Sequence, residues 1–330
     1  MSTKSRLLEY LDSNYGSFVS GQEIADALGV SRVAVNKAAA SLKESGFKIL
    51  SRTGQGYKLL EKADVMSPDT IRAQISMPVE VKVFDSIPST NDYAKTLNIG
   101  ETPIAVVANS QTAGRGRLGR EFFSPRGTGI YLSIVLRPKF DITKSLNITM
   151  AAAVAVCHAI DSVCGVHAII KWVNDLFYRG RKICGILTEA GAMLEIGTIN
   201  SLIIGIGVNC FPGSFPPELS KIAGTISDTQ DSFSRSELAG KIINNVLEVT
   251  DKFPNCDFMT EYRQRCFIIG REVDVIPAGG GRPVLARVHD IDPDGGLVVE
   301  YMSGIRMREI DTLTSGEISI RETGETYGVR

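Results

Sequence analysis

A stretch rich in glycine and arginine, QTAGRGRLGREFFSPRGTG at residues 111–129, lies between two apolar segments typical of β-strands, PIAVVANS and IYLSIVLRP. Its glycines permit left-handed backbone conformations and a close approach of backbone N–H groups to a ligand. Arg115, Arg117 and Arg120 are so close in sequence that their charges repel unless an anion lies between them. The stretch is either an exposed basic hairpin or a loop that closes over a phosphate or a carboxylate.

The length of 330 residues predicts two or three domains. A hydrophobic content of 43% with 22% charged residues is typical of a soluble globular protein. We expect no signal peptide and no apolar run of the roughly 18 residues that span a bilayer. The six cysteines are scattered without a C-x-x-C pair, which indicates buried free thiols in a reducing cytosol. The predicted location is therefore cytoplasmic, with no membrane partner.

The first 60 residues carry the pattern of a winged helix-turn-helix. Ser20 and Glu23 form a capping box for a helix that ends at Gly29, and Ser31 is the predicted N-cap of the next helix. The following segment, KILSRTGQGYKLL, predicts a β-hairpin that forms the wing. Residues 1–62 carry nine Lys/Arg and six Asp/Glu, a net charge of +3, whereas the whole chain carries −1.

This basic N-terminal region is expected to bind DNA, and a protein-interaction module is the alternative. Side chains at the start of the second helix of such a motif suit base edges, and lysines suit phosphates. The residues predicted to contact DNA are Ser31, Arg32, Asn36, Lys37, Arg52 and Lys58.

The other domains follow from composition and spacing. Residues 61–69 are polar and without periodicity, and are predicted to be a linker. Near the C-terminus, REVDVI, PVLARVHDI, GLVVEY, IRMREI and EISIR predict five short strands, with turns at 279–281, 294–296 and 315–316. Such spacing predicts a small SH3-like barrel. We therefore predict domains at residues 1–63, 64–268 and 269–330.

In the central 200 residues, polar side chains follow apolar strand-like segments. After VKVFDSI, the run Ser89-Thr90-Asn91 either caps a helix or offers hydroxyl and amide groups to a small polar ring. Asn174 and Asp175 either form a turn or supply oxygen ligands to a hydrated Mg²⁺. Lys182 follows a hairpin turn at 179–180, and the alternative to a functional role is a solvated lysine on an edge strand.

Two further segments complete the central domain. Gly205 and Gly207 lie within a β-rich run, SLIIGIGVN, and favour a close approach to the backbone, here by a purine. Residues 146–163 predict an apolar helix that packs on the sheet. The sequence carries neither a Ser-His-Asp arrangement nor a P-loop motif. The chemistry it implies is cationic stabilisation of phosphate without a covalent enzyme intermediate.

Four segments in this order, GRGRLGR, KWVND, RKICGILTE and GIGVN, resemble biotin protein ligases. With a winged helix in front, the chain resembles the bifunctional bacterial form, which is also the biotin operon repressor. Lipoate ligases share the catalytic fold but lack this loop and this N-terminal domain. Two departures are Val173, which replaces a usual proline and predicts a looser turn, and Phe122, which replaces a tryptophan that often stacks on adenine.

The resemblance implies an α+β fold. Its parts are an N-terminal winged helix-turn-helix, a central mixed-sheet ligase domain like class II synthetases and lipoate ligases, and a C-terminal SH3-like β-barrel. It also implies that ATP with Mg²⁺ activates biotin as biotinoyl-5'-AMP, which then biotinylates a lysine of a biotin carboxyl carrier domain of a carboxylase. The implied partners include operator DNA and a second copy, in a homodimer favoured by biotinoyl-AMP. The alternatives are a DNA-binding biotin sensor without ligase activity, and a lipoate-type ligase.

Carried over residue by residue, the resemblance implies a set of site residues. The implied catalytic residues are Arg115, Arg117 and Lys182. The implied biotin-binding residues are Ser89, Thr90, Asn91, Gln111, Gly114, Arg115, Gly116, Arg117, Lys182 and Gly185. The implied ATP-binding or adenine-binding residues are Arg117, Arg120, Phe122 and Asn209, and for Arg120 the alternatives to a pyrophosphate contact are a dimer contact and plain solvation. The implied Mg²⁺ ligands are Asn174 and Asp175.

Overall fold

The computed structural model describes residues 3–44, 47–60, 64, 66–138, 140, 145–192, 199–213, 215–230, 232–255, 257–277, 282–314 and 318–322. The chain divides into two compact units. One comprises Met1–Thr70 with Ser234–Ser236, and the other comprises Ile71–Phe233 with Glu237–Arg330.

The first unit has the predicted winged helix-turn-helix architecture. Its elements are α1 (Thr3–Ser13), α2 (Gly21–Leu28), α3 (Arg32–Glu44), β1 (Ile49–Arg52) and β2 (Gly56–Leu59), with β1 and β2 antiparallel. Ser20 Oγ accepts a hydrogen bond from Glu23 N at 3.1 Å, and Gly29 ends α2 with a φ of 63°. Ser31 Oγ accepts from Ala34 N at 3.2 Å, so both predicted N-caps are confirmed.

The end of the predicted linker is helical, which corrects the sequence analysis. Residues 61–63 and 65 of that linker lie outside the described residues. Helix α4 (Pro68–Arg72) begins within the segment predicted to be irregular. Ser67 Oγ accepts a hydrogen bond from Thr70 N at 3.1 Å, and proline suits the first position of a helix because its missing N–H would have no partner there.

The second unit contains a seven-stranded mixed sheet with strand order β3-β4-β5-β9-β8-β7-β6. Strands β3 and β4 are parallel, and the other neighbours are antiparallel. The two apolar segments on either side of the glycine-arginine loop are β4 and β5, which pair with each other. The strands are β3 (Glu80–Phe84), β4 (Ile104–Ala108), β5 (Gly129–Leu136), β6 (Ile169–Lys171), β7 (Asp175–Tyr178), β8 (Arg181–Ala192) and β9 (Ile199–Asn209).

Helices α5 (Thr90–Lys95), α6 (Ser145–Cys164), α7 (Arg235–Lys252) and α8 (Met259–Arg265) complete this part of the chain. Among the described residues, α6 is long and apolar enough to cross a membrane by length and composition. However, 67% of its apolar stretch is buried inside the protein, which is the pattern of a core helix and agrees with the predicted packing role.

The C-terminal strands form a five-stranded antiparallel sheet with order β13-β12-β11-β10-β14, consistent with the predicted barrel. The strands are β10 (Glu272–Pro277), β11 (Val284–Ile291), β12 (Leu297–Tyr301), β13 (Ile310–Leu313) and β14 (Ile318–Glu322). The predicted turns at 279–281 and 315–316 lie outside the described residues.

The segment IRMREI was predicted to be a strand, and that prediction is wrong. Strand β13 begins only at its last residue, Ile310. The preceding residues form a turn in which Arg308 has a left-handed φ of 68° and donates its N–H to Tyr301 O at 2.7 Å. Arg306 stabilises this turn through an ion pair with Glu309.

Candidate active site

The glycine-arginine loop folds back on itself between β4 and β5. Gly116 N donates to Arg120 O at 2.7 Å, and Phe122 N donates to Gly114 O at 2.8 Å. Gly114 is required by space, because a Cβ there would lie 2.4 Å from Phe122 O. Residues 117–119 form a single 3₁₀ turn. The loop is therefore a small hairpin with its own hydrogen bonds.

A cavity of about 750 Å³ lies between this loop and the central sheet. It brings together residues that are far apart in the sequence. Gly114 does not line this cavity, although it supports the loop that does. The predicted site residues that line it are Ser89, Thr90, Asn91, Gln111, Arg115, Gly116, Arg117, Arg120, Phe122, Asn174, Asp175, Lys182, Gly185 and Asn209.

One end of the cavity is a network of neutral polar groups. Ser89 Oγ caps α5 by accepting from Asp92 N, so the capping interpretation is confirmed for Ser89. Thr90 donates both its backbone N–H and its hydroxyl to Gln111 Oε1, at 2.8 and 3.1 Å. Ser133 Oγ lies 2.7 Å from Thr90 Oγ1 and 2.5 Å from Asn91 Oδ1. These buried hydroxyl and amide groups can recognise a small polar ring.

Two glycines of β9 accommodate side chains of the protein itself. A Cβ at Gly205 would lie 2.2 Å from Asn91 Oδ1, and a Cβ at Gly207 would lie 2.5 Å from the ring of Phe122. In this structure the groups directly over these glycines are Asn91 and Phe122, and the close approach of a purine stays a prediction. The two side chains occupy the space that the missing Cβ atoms leave open.

The three arginines of the loop do not converge on one point. Arg115 Nη1 lies 2.5 Å from Asp92 Oδ1, and Arg115 Nη2 lies 3.6 Å from Glu189 Oε1. The hydrogen bond to Asp92 and the charge of Glu189 raise the pKa of Arg115. From the sequence, an anion was expected beside the arginines. For Arg115, that negative charge comes from the carboxylates of Asp92 and Glu189.

Arg117 turns to a different part of the site. Its Nη1 donates to Asn174 Oδ1 at 2.8 Å. Burial lowers the pKa of this guanidinium, and the nearby charge of Asp175 opposes that effect. A half-buried cation beside the cavity is poorly hydrated, so it interacts strongly with an anionic group of a ligand. Arg120, the third arginine, is exposed at the end of the 3₁₀ turn and also lines the cavity.

Lys182 lines the cavity from an internal strand of the sheet. Strand β8 pairs with β7 on one side and β9 on the other, so the edge-strand interpretation of Lys182 is wrong. Lys182 Nζ lies 2.6 Å from Asp175 Oδ1. Its side chain passes over Gly185, where a Cβ would lie 3.3 Å from Nζ. Gly185 therefore leaves room for the lysine to reach the cavity.

The predicted Mg²⁺ ligands differ in how well they suit a metal. Asn174 Oδ1 accepts from Arg117 and its Nδ2 donates to Ile186 O at 2.8 Å, so both halves of this amide already hold protein groups. Asp175 offers a carboxylate at the cavity wall. Mg²⁺ is commonly held by one or two carboxylates together with substrate phosphates. Of the two predicted ligands, Asp175 thus has the side chain that suits a metal arriving with a nucleotide, and its Oδ1 also pairs with Lys182 Nζ at 2.6 Å.

The turn that carries these residues is held from several sides. Tyr262 OH donates to Val173 O at 2.9 Å, Trp172 Nε1 donates to Gly295 O at 2.9 Å, and Val173 is 1% exposed. The peptide bond between Trp172 and Val173 is cis. The hydrogen bonds of Tyr262 and Trp172 and the burial of Val173 hold this turn firmly, so the looser turn expected from valine is not found.

Several residues of the site were missed by the sequence analysis. Glu189 accepts from Asn91 Nδ2 and from Lys95 Nζ, both at 2.8 Å, although it lies at the end of the recognised segment RKICGILTE. Ser133 is fully buried in the otherwise apolar strand β5, and such an isolated serine could have been noticed. Trp172 and Leu219 line the cavity, and no local pattern indicates that they would.

The predicted DNA-contacting residues lie on one helix and the wing of the first unit. Arg32, Asn36 and Lys37 are exposed on α3, and Ser31 caps that helix. In the wing, the Arg52 guanidinium and Lys58 Nζ lie 5.4 and 5.8 Å from the centre of the Phe18 ring. Basic groups thus lie both on α3 and on the wing. A DNA-binding motif of this kind uses its helix in a groove and further basic groups at the phosphates.

Comparisons with known proteins cover nearly all of this architecture. The model of the biotin/lipoate A/B protein ligase family matches residues 83–209, a helix-turn-helix domain model matches 3–58, and the model of the biotin protein ligase C-terminal domain matches 268–321. The bifunctional ligase/repressor BirA of Bacillus subtilis (strain 168) is 34% identical over 315 residues, which are 91% of this chain and 94% of that protein.

More distant relatives extend the comparison. The protein of the same name from Escherichia coli (strain K12) is 28% identical over 312 residues, which are 93% of this chain and 94% of that protein. Among solved structures, the biotin protein ligase from Aquifex aeolicus in complex with biotin and ATP superposes with a TM-score of 0.62 at 25% identity. The match covers 74% of this chain and 99% of that one.

Proposed function

The chain belongs to the biotin protein ligase family, and from that premise we propose that it is an ATP-dependent biotin protein ligase and a transcriptional repressor. Its relatives named bifunctional ligase/repressor match it along nearly their whole length. The observation that carries the ligase proposal is the cavity itself. It joins a neutral polar end, formed by Thr90, Asn91 and Gln111, to a charged part that holds Arg117 and Lys182.

We propose that the neutral polar end binds the ring system of biotin. The ring carries amide-like donors and an acceptor but no charge, so it suits hydroxyl and amide partners. Arg117 and Lys182 then receive the biotin carboxylate and the α-phosphate of ATP. Phe122 and Asn209 line the same cavity and are proposed to contact the adenine, and Arg120 is proposed to contact the nucleotide phosphates.

The first step joins two anions, the biotin carboxylate and the α-phosphate of ATP, which repel each other. The positive charges of the site reduce that repulsion. A carboxylate oxygen of biotin attacks the α-phosphorus of ATP, the bond from that phosphorus to the bridging oxygen breaks, and pyrophosphate leaves. Arg117 and Lys182 offset the repulsion between the reactants and stabilise the charge that develops on the phosphoryl oxygens. Mg²⁺, when it is bound with ATP, supplies further positive charge beside Asp175.

The second step transfers the activated acyl group. The neutral amine of a lysine on a biotin carboxyl carrier domain attacks the carbonyl carbon of biotinoyl-AMP, the bond to the phosphate oxygen breaks, and AMP leaves. The product is an amide, and the amine loses one proton. The protein retains the adenylate until an acceptor arrives, and Arg115 and Arg117 are the residues proposed to retain it.

The ligase proposal is tested by incorporation of biotin into a purified carrier domain of a biotin-dependent carboxylase, with ATP and Mg²⁺ present. We expect one biotin per carrier domain, AMP and pyrophosphate as products, and no labelling when ATP is omitted. A DNA-binding biotin sensor without ligase activity would bind biotin and give no product. A lipoate-type ligase would be identified by competition, because lipoate would then displace biotin as the substrate.

Replacing Arg117 with glycine is expected to release biotinoyl-AMP into solution. Loss of a charge-assisted hydrogen bond costs about 1.5–3 kcal/mol, so dissociation of the adenylate should become about ten to a hundred times faster. The readout is labelling of serum albumin added as a bystander, with the exposed-residue variant Arg126→Gly as the control. If bystander labelling by Arg117→Gly equals that of the wild type, Arg117 does not retain the intermediate.

For the repressor activity, we propose that α3 enters the major groove of an operator and that the wing contacts the adjacent backbone. The proposed functional unit is a homodimer favoured by biotinoyl-AMP, since a two-fold operator needs two recognition helices at a fixed spacing. The adenylate shifts this equilibrium only if it binds the dimer-competent state more tightly than the other. The proposed location is the cytoplasm.

Two neighbouring substitutions on α3 should weaken DNA binding in different ways. Asn36→Ala should cost about 1–3 kcal/mol at the base that the amide contacts and relax specificity there. Lys37→Ala should weaken binding to all sequences alike and reduce the slope of log K against log salt by about one. Binding is measured by fluorescence anisotropy at several salt concentrations, and ligase activity is the control. Equal effects of Asn36→Ala on specific and unrelated DNA would contradict the assignment.

A further inference from the structure

A turn of the C-terminal sheet is attached to the wall of the candidate active site. The turn between β11 and β12 contains Gly295, whose carbonyl accepts a hydrogen bond from Trp172 Nε1 at 2.9 Å. Trp172 is 7% exposed, and its side chain lines the cavity. The two residues are 123 positions apart in the sequence. A residue of the C-terminal domain thus contacts a wall residue of the site directly.

The packing around Gly295 leaves no space for a side chain. Its φ is 88°, in the left-handed region that favours glycine, and a Cβ would lie 2.5 Å from Asn147 Oδ1 and 2.8 Å from Met150 Sδ of helix α6. Asn147 Nδ2 also donates to Pro293 O at 3.1 Å. The turn is closed internally, because Asp292 exchanges backbone hydrogen bonds with Gly295 and Gly296. It is therefore a rigid element fixed on α6.

Trp172 begins the short turn that holds Arg117. Two residues further along, Asn174 accepts from Arg117 Nη1 and donates to Ile186 O. Between them, Val173 O accepts from the buried hydroxyl of Tyr262 at 2.9 Å. An unbroken series of contacts therefore runs from Gly295 through Trp172 and Asn174 to the guanidinium of Arg117.

We propose that the β11–β12 turn is a positioning element for the nucleotide part of the active site. It fixes the ring of Trp172 in the cavity wall and, through the turn at residues 172–174, fixes Arg117. The proposal rests on the function proposed above, in which Arg117 contacts the biotin carboxylate and the α-phosphate of ATP. The biotin end of the cavity has its own hydrogen bonds through Gln111, Ser133 and Glu189, and does not depend on this turn.

A matched pair of glycine substitutions tests the proposal. Gly295 and Gly304 both lie in the C-terminal domain with left-handed φ values, of 88° and 79°, so alanine imposes a similar backbone strain at each. At Gly304, however, a Cβ would meet only Val284 Cγ1, at 3.8 Å, and no atom of α6 lies within 4 Å. Gly295→Ala should therefore displace the turn from α6, whereas Gly304→Ala should change only the local strain.

The expected result is a selective defect in adenylation. Displacement of a positioned group by about 1 Å can cost up to about a hundredfold in rate, so Gly295→Ala should lower kcat/KM for ATP by about tenfold or more. The dissociation constant for biotin, measured by calorimetry, should change by a much smaller factor, because the hydrogen bonds proposed for the biotin ring are unchanged and only the contact of Arg117 with the carboxylate is disturbed. Gly304→Ala should match the wild type in both values.

Fluorescence supplies a direct readout, because Trp172 is the only tryptophan in the sequence. Gly295→Ala should shift its emission maximum before any ligand is added, and should change its response to a non-hydrolysable ATP analogue. Circular dichroism and the unfolding midpoint, compared between the two alanine variants, separate local displacement from loss of the fold. If Gly295→Ala unfolds the domain, Trp172→Phe is the second variant, since it removes the N–H donor and keeps a smaller aromatic ring at the same position.

The proposal is overturned if Gly295→Ala and Gly304→Ala are equally active with ATP, or if Trp172→Phe adenylates biotin like the wild type. It is also overturned if biotin affinity falls by the same factor as the ATP-dependent rate, because that pattern indicates general damage to the site. These outcomes differ from failure of the proposed function itself. If the proposed function fails, the wild-type protein transfers no biotin to a carrier domain. The positioning role of the turn is then judged only by comparing the Trp172 fluorescence of Gly295→Ala and Gly304→Ala in the presence of the ATP analogue.

Discussion

Replacing Lys182 with methionine should slow the formation of biotinoyl-AMP by about a hundred- to a thousandfold, the usual cost of removing one group that stabilises a developing oxyanion. Methionine keeps an unbranched stem that fits over Gly185, so the change is mainly loss of the charge. The loss also leaves Asp175 without its ion-pair partner, whose Nζ lies 2.6 Å away in the wild type. An unpaired carboxylate beside the cavity then repels the incoming phosphates, and this repulsion further slows the formation of biotinoyl-AMP.

The measurement is pyrophosphate release in a single turnover with saturating biotin and ATP, which isolates the first step from transfer. Lys221→Met is the matched control, because Lys221 is exposed and lies in the segment whose residue Ile222 accepts the backbone N–H of Lys182. We expect the control to react at the wild-type rate. Retention of more than about a tenth of the wild-type rate by Lys182→Met would remove Lys182 from the catalytic residues.

Gly205→Ala is expected to weaken biotin binding by about ten- to a hundredfold, because misplacing a buried hydrogen-bonded amide costs about 1–3 kcal/mol. The added methyl group would lie 2.2 Å from Asn91 Oδ1, so Asn91 must move. That movement separates Asn91 from Ser133 and from Glu189, which lie 2.5 and 2.8 Å from its Oδ1 and Nδ2 atoms. The neutral polar end of the cavity then loses the fixed orientation of this amide.

A double-mutant cycle identifies the route of this effect. If Gly205→Ala acts through Asn91, it should weaken biotin binding in the wild type and add little in an Asn91→Ala background. Gly100→Ala controls for a glycine substitution in the same domain, since a Cβ at that position meets nothing within 4 Å. Additive losses in the double variant would show that the methyl group disturbs the strand rather than Asn91.

The elements themselves could be predicted from the sequence because their signals are local. Ser20 and Ser31 lie within a few residues of the N–H groups that they accept from, so the capping patterns identify the helix starts. The strands on either side of the glycine-arginine loop are apolar runs bounded by polar residues. The prediction failed at Pro68, because proline occurs both in irregular linkers and at the first position of helices. This residue was predicted to lie in a linker and instead begins α4.

The partners of the site residues could not be predicted in the same way. The sequence places three arginines within six positions, and from charge alone they were expected to surround one anion. The structure directs Arg115 to Asp92 and Glu189 and directs Arg117 to Asn174, so the two guanidiniums have different partners. Glu189 lies 74 positions after Arg115, and no periodicity relates residues at such a separation.

The sequence by itself thus determined the winged helix, the apolar strands and the motifs that indicate phosphate chemistry, because each depends on neighbours within about one turn or one hairpin. Only the tertiary structure decided what occupies the space over Gly205 and Gly207, which carboxylates pair with the loop, and which turn of the C-terminal sheet reaches Trp172. The physical reason is that these contacts depend on strand order and on side-chain packing across the whole sheet. Both arise only when distant segments are brought together.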